Sequence, residues 1–139
     1  MADSKPFELP IRVYYEDTDA QGVVYYANYF RFMERARTEW LRSLGIDMAR
    51  LQDEDRRIFV VAEVQVKFHA PARLLDDIVV TADLVGLSRV SFDIAQNIFR
   101  NSTDGELLIS GIVKAAYLDA DTMRPKRLSA CCEKGGPRR

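Results

Sequence analysis

Residues 14–45, YYEDTDAQGVVYYANYFRFMERARTEWLRSLG, run from an acidic turn directly into one long amphipathic segment. This stretch limits the folds open to the chain more than any other. Tyr26, Tyr29, Phe30, Met33, Ala36, Trp40, Leu41 and Leu44 recur in steps of three and four and so form one broad helical stripe. Arg31, Glu34, Arg35, Thr38, Glu39 and Arg42 fill the other sectors, with Glu34–Arg37 and Glu39–Arg42 spaced to pair across a turn. Gly45 supplies the left-handed residue that ends the helix. A helix with so wide an apolar face must be covered by other elements, and this is the only strong helical pattern in the chain.

The cover is β-structure. Met1–Pro10 reads as a loose arm, followed by a strand over Ile11–Tyr15. Ile46–Arg57 holds a short helical turn around Met48 and Leu51. In Glu63–His69 polar and apolar side chains alternate with period two, so residues 58–70 form a strand with one buried face, stopped by Pro71. Ile78–Val85, a turn at Gly86–Arg89, and Val90–Arg100 make an antiparallel pair with Phe92, Ile94 and Ile98 on one face. Asp104-Gly105 turns the chain into Leu107–Leu118, where Ile109, Gly111, Val113, Ala115 and Tyr117 share a face and Gly111 marks a close approach of the helix backbone. These elements predict a single α+β domain over residues 1–139, its antiparallel sheet curled around the helix and its ends, 1–10 and 133–139, flexible. Phe99, Ile112, Val79 and Val85 cannot all face the helix, which predicts that sheets of two copies join or pack in a homodimer or larger assembly.

Composition narrows the function. Twenty basic residues against twenty-one acidic ones leave a net charge of −1, without the basic field that drives nucleic-acid or membrane-surface binding. No apolar run reaches the length of a membrane span, and Met1–Pro10 lacks the core of a secretory signal, which places the protein in the cytoplasm. Cys131 and Cys132, adjacent and C-terminal, have neither disulfide-framework nor zinc-ligand spacing and read as free thiols.

The chemistry concentrates in Glu16-Asp17-Thr18-Asp19-Ala20-Gln21-Gly22, where three carboxylates precede a helix start. Asp17 or Asp19 could simply satisfy the turn and the helix dipole. A calcium loop fits positions one, three, five and six, but Asn28 stands where the bidentate carboxylate belongs, and no helix signal precedes Asp17. The third reading is catalytic: a carboxylate beside free helix-start N–H groups supplies a nucleophile or base and an oxyanion donor, with neither serine nor metal. The single histidine, His69, sits in an alternating strand, and G-x-S-x-G, GK[ST] and G-x-G-x-x-G patterns are absent.

The run VYYEDTDAQGVVYYANYFRFMERARTEWLRSLG, with FVVAEVQVKFHAPARLLDD, SRVSF and YLDADTMRPKRL, resembles the hotdog-fold acyl-CoA thioesterases, in particular the Tol-Pal-associated (YbgC-like) branch related to 4-hydroxybenzoyl-CoA thioesterase. The similarity spans about residues 11–128. It implies a long helix wrapped by an antiparallel sheet, interfacial active sites in a dimer or tetramer, an acyl-CoA substrate and no cofactor. It also implies that the second acid of the D-x-D pair, Asp19, acts as nucleophile or general base. The oxyanion donor falls on the main-chain N–H of Tyr26, where many relatives carry histidine, and Gly22 permits the intervening turn. Asp17 shapes the turn, and Glu34, at a helix position where another branch places a glutamate, reads here as a surface or ion-pair residue. Coenzyme A phosphates call for basic groups: Ser88 and Arg89 first, then Arg73, Lys126 or Arg127. The rivals are a dehydratase, for which His69 lacks the following Pro-Gly, and a non-catalytic acyl-binding or scaffold protein docking to acyl carrier protein or lipid-synthesis enzymes.

Overall fold

A computed structural model describes residues 5–130. One five-stranded antiparallel sheet, in the order β1-β3-β4-β5-β2, curves around helix α1 (Ala27–Ser43). The strands are β1 (Phe7–Arg12), β2 (Arg57–Phe68), β3 (Asp77–Leu87), β4 (Ser91–Arg100) and β5 (Leu107–Asp119). A short helix α2 (Met48–Arg50) and the turn that follows it, Leu51–Asp55, fill the place predicted for a helical turn. Gly45 ends the helical segment at φ +90, as its position predicts. Among the described residues no helix is long and apolar enough to cross a membrane.

The arm and first strand differ from expectation. Phe7–Pro10 belong to β1, with Phe7 opposite Ala82 and Leu9 opposite Val80, and the strand ends at Arg12 rather than Tyr15. Phe7, Leu9 and Ile11 alternate inward, and Pro10 is tolerated because β1 is an edge strand. Residues 133–139, Cys131 and Cys132 lie outside the described residues.

The buried stripe of α1 is rotated from the predicted one. Phe32 is 1% exposed and Phe30 38%, while the Tyr26 and Leu44 ends lie open. Tyr29, Phe32, Met33 and Ala36 keep the i, i+3, i+4, i+7 spacing that a sheet can cover, and Phe30 lies one residue off that line. Glu39 and Arg42 pair at 3.5 Å as spaced. Arg37 instead donates from Nη1 to Oε1 of Gln96 at 3.0 Å. Burial lowers the pKa of this guanidinium, with nearby Glu34 opposing the shift.

Gln96 is fully buried on the inward face of β4, and its Nε2 donates to Met33 O (3.0 Å) and Thr81 O (3.4 Å). Its amide thus ties helix, β3 and a half-buried cation together. Gln96→Ala is expected to destabilise the protein by about 3 kcal/mol, because a cavity opens and the carbonyls and guanidinium lose a partner. A lowered urea midpoint at unchanged m-value checks it.

At Gly111 the close neighbour is not the helix backbone. An added Cβ would meet Val66 Cγ1 at 2.8 Å, Gln65 O at 3.2 Å and Met33 Cε at 3.3 Å. The long Met33 side chain fills the gap between helix and strand. On the outer face Val79 is covered between Pro10 and Phe99, whereas Ile112 and Val85 remain exposed.

The helix rests chiefly on β3 and β1 and therefore sits off-centre. The inward side chains Val61, Val64 and Phe68 of edge strand β2, opposite core residues of β5, are left 38–53% exposed. The predicted buried face of this strand is thus only partly covered.

Candidate active site

The acidic turn is fastened from both sides. Asp17 is buried, its Oδ2 accepts from Tyr14 N (2.9 Å), and its carbonyl accepts from Tyr25 N (3.0 Å) and from Nδ2 of Asn28 (2.9 Å). The Asp17 carboxylate therefore shapes the turn. Thr18 and Val24 then form an antiparallel bridge, Asp19 N donates to Val23 O (2.9 Å), and Gly22 N donates to Asp19 O (3.1 Å). Gly22 has φ +80 with open space where a Cβ would lie, so its requirement is one of backbone conformation.

Asp19 projects from this closed loop into solvent. One oxygen accepts from Gln21 N at 2.9 Å, and the other has no partner among the described residues. Tyr26 stands at the helix entrance with helical angles, φ −57 and ψ −31. The N–H groups of Asn28 and Tyr29 turn back to Tyr25 O and Tyr26 O, but that of Tyr26 has no acceptor among the described residues. Its ring is exposed and lies 5.0 Å from that of Tyr25.

Residues 71–74 line the turn. Val24 N donates to Ala72 O (2.9 Å), Val23 bridges Arg73, and Leu74 N donates to Gly22 O (3.2 Å). Tyr29 accepts from Ala72 N at 2.9 Å, and burial raises its phenol pKa. Arg100 braces the segment through Asp76 and Pro71 O. Of the basic candidates, Arg73 is the one whose backbone pairs with the turn, at Val23, and its exposed side chain has no acceptor among the described residues.

Ser88 and Arg89 lie at the other end of the molecule. The turn joins the start of β3 through the Arg73–Asp76 loop, whereas Ser88 and Arg89 follow the end of that strand. Seventeen helical residues, about 25 Å, separate the two regions. Ser88 Oγ caps its own turn, accepting from Ser91 N at 3.1 Å, while Arg89 lines a cavity with Arg127. Within one chain these residues do not meet Asp19. Glu34 is exposed and, with Arg37, lines a smaller cavity of about 310 Å³ against β2. His69 stands one residue past the end of β2, which stops at Phe68 rather than running to residue 70, and its Nε2 shares a hydrogen bond with Ser110 Oγ at 2.9 Å.

Two organising residues escaped the sequence reading. Asn28 figured there only as an unsuitable calcium ligand, and Gln96 not at all. Both could have been found as polar residues on an apolar face: Asn28 one turn before Phe32, and Gln96 between Ile94 and Ile98 in the inward series of β4.

Comparison with known proteins identifies the family and the fold. The family model for the thioesterase-like superfamily matches residues 13–131. The acyl-CoA thioesterase YbgC of Haemophilus influenzae is 39% identical over 119 residues, covering 86% of this chain and 85% of that one. The acyl-CoA thioester hydrolase YbgC of Escherichia coli is 40% identical over 122 residues, covering 88% and 89%. Among solved structures, a probable thioesterase from Bartonella henselae superposes with a TM-score of 0.83 at 29% identity, over 89% of this chain and 99% of that one. The helix wrapped by its sheet is thus the hotdog architecture, and the chain belongs to the thioesterase-like superfamily.

Proposed function

We propose that this chain hydrolyses acyl-CoA thioesters, with Asp19 as the catalytic carboxylate and the Tyr26 N–H as oxyanion donor. One observation carries the reading: a solvent-facing carboxylate with a free oxygen shares a hydrogen-bonded loop with a main-chain donor that has no acceptor among the described residues. The relatives named as acyl-CoA thioesterases, similar over most of this chain, supply the substrate class.

In this mechanism the thioester oxygen points at the Tyr26 N–H. Asp19 attacks the carbonyl carbon, or takes a proton from a water that does so, and the oxyanion forms against the donor. Collapse expels the coenzyme A thiolate. On the nucleophilic route a mixed anhydride remains, which water hydrolyses to release the acid and restore Asp19.

Arg73 is the phosphate anchor we infer for this site, since it flanks the turn where Ser88 and Arg89 do not. The acyl group lies along the uncovered inward side of β2, beside Phe68, whose ring stands 5.9 Å from Tyr29. A second copy closes the groove. Strand β2 is twelve residues long with a free edge, and isologous antiparallel pairing would cover Val61, Val64 and Phe68 from both sides.

The test is release of free thiol from a series of straight-chain acyl-CoAs and one aromatic acyl-CoA. Turnover is expected, with a preference set by groove depth. Binding without turnover would make the protein an acyl-thioester scaffold, and turnover confined to acyl carrier protein thioesters would replace the substrate.

A further inference from the structure

The acidic turn leans on a loop. Val24 N donates to Ala72 O, Val23 bridges Arg73, and Leu74 N donates to Gly22 O, so the place of Asp19 depends on how firmly residues 71–76 are held between β2 and β3. Local backbone preference works against them. Leu75 adopts φ +67, a left-handed conformation that leucine disfavours, and its side chain is 65% exposed, so its burial does little to offset the strain.

Arg100, the last residue of β4, grips the loop from outside. Its Nη1 donates to Asp76 Oδ2 and its Nη2 to Pro71 O at 2.9 Å, so one planar guanidinium spans residues 71 and 76. The same Asp76 oxygen accepts from Arg73 N at 2.8 Å, which fixes the residue that bridges Val23. The Arg100 and Asp76 side chains are only 22% and 23% exposed, and a pair so covered is screened less than one in open solvent. Between its two anchors Ala72 is fully buried, its N–H bonded to the Tyr29 hydroxyl.

We propose that Arg100 is a positioning residue of the acidic turn: with Asp76 it clamps residues 71–76 at both ends and so keeps Asp19 and the Tyr26 entrance in register. Its effect on rate rests on the reading of Asp19 as the catalytic carboxylate, whereas its effect on the turn does not. Glu106, in the β4–β5 turn, accepts from Arg100 Nε at 3.1 Å and has no hydrogen bond to the loop among the described residues, so it serves as the control.

Arg100→Met keeps the aliphatic stem and removes every donor, while water reaching Asp76 replaces its lost partner. Native-state hydrogen exchange then reads the clamp. The Val24 and Ala72 amides should exchange at least tenfold faster, while that of Ile98, in central β4, stays within about twofold. Well below the melting temperature, kcat for acyl-CoA hydrolysis should fall about tenfold or more. Asp76→Asn should show the same pattern more weakly, and adding it to Arg100→Met should cost little further, because the two side chains act as one unit. Should Arg100→Met fail to fold, Asp76→Asn carries the same readouts alone. Glu106→Ala should keep wild-type exchange and kcat.

Unchanged exchange at Val24 and Ala72 would overturn the proposal, as would equal acceleration at Ile98, which marks a global loss of stability. Fully multiplying effects of the two substitutions, or a Glu106→Ala effect as large as that of Arg100→Met, would overturn it too. So would faster exchange at unaltered kcat in a protein that Asp19→Asn inactivates. If the wild type shows no turnover, or Asp19→Asn matches it, the catalytic reading falls and exchange alone decides the clamp.

Discussion

Asp19→Asn is expected to lower kcat for acyl-CoA hydrolysis by about 10²–10⁴ while the fold and assembly persist. Asp19 is exposed, and its one side-chain hydrogen bond, from Gln21 N, needs only a carbonyl-like oxygen. Asparagine keeps that oxygen and the shape but removes the charge, and with it the nucleophile or base. Substrate binding should change far less than kcat, because the carboxylate acts on the carbonyl only as the transition state forms. Equal rates for both proteins would take Asp19 out of the mechanism. Where the wild type turns over, label entering the Asp19 carboxylate during single-turnover hydrolysis in heavy-oxygen water marks nucleophilic attack followed by water addition at the aspartyl carbonyl of the anhydride. Trapping of an acyl-Asp19 adduct marks the nucleophilic route whichever carbonyl water attacks.

Tyr26→Pro isolates the donor, and the expected loss in kcat is about 10²–10³. Proline deletes the N–H that the mechanism assigns to the oxyanion. At φ −57, immediately before the first residue of α1, its ring meets an angle it already prefers. No hydrogen bond of the described fold is lost with that N–H. Tyr26→Ala, which removes the exposed ring and keeps the donor, should stay close to wild type. If both substitutions cost the same, the side chain matters and the main chain does not. If proline costs nothing at unchanged melting temperature, the oxyanion is held elsewhere.

Much of this fold could be read from periodicity. The alternation in β4 and β5 placed Ile94, Ile98, Ile109 and Val113 inward, and all four are fully buried. Steps of three and four located α1, yet assigned Phe30 to the core in place of Phe32, because a wide stripe leaves its centre line open until the sheet selects it. The β1 register was missed because two prolines, Pro6 and Pro10, masked an inward series that an edge strand accommodates. For the site, local sequence anticipated the turn that Asp17 shapes through Tyr14 N and the left-handed Gly22, but not the Asn28 side chain that holds the Asp17 carbonyl from eleven residues on. Arg89 was ranked ahead of Arg73, whereas within one chain it is Arg73 that pairs with the turn, because that proximity depends on how Ala72–Asp76 and β3 cross the molecule. Gln96 joins β4 to Met33 sixty-three residues away, a relation no local pattern records.

The off-centre helix gives β2 a further property. A strand whose backbone is open along one side will accept any extended chain, and what screens the candidates here is written in its own alternation. Val64, Val66 and Phe68 fall on one face, while Glu63, Gln65 and Lys67 fall on the other. A pairing slipped by one residue would set this strand's polar row beside the newcomer's apolar row on both faces at once. In the pairing proposed above, the pattern that made β2 recognisable as a strand would act as a parity check, admitting an identical copy in even register and rejecting it in odd.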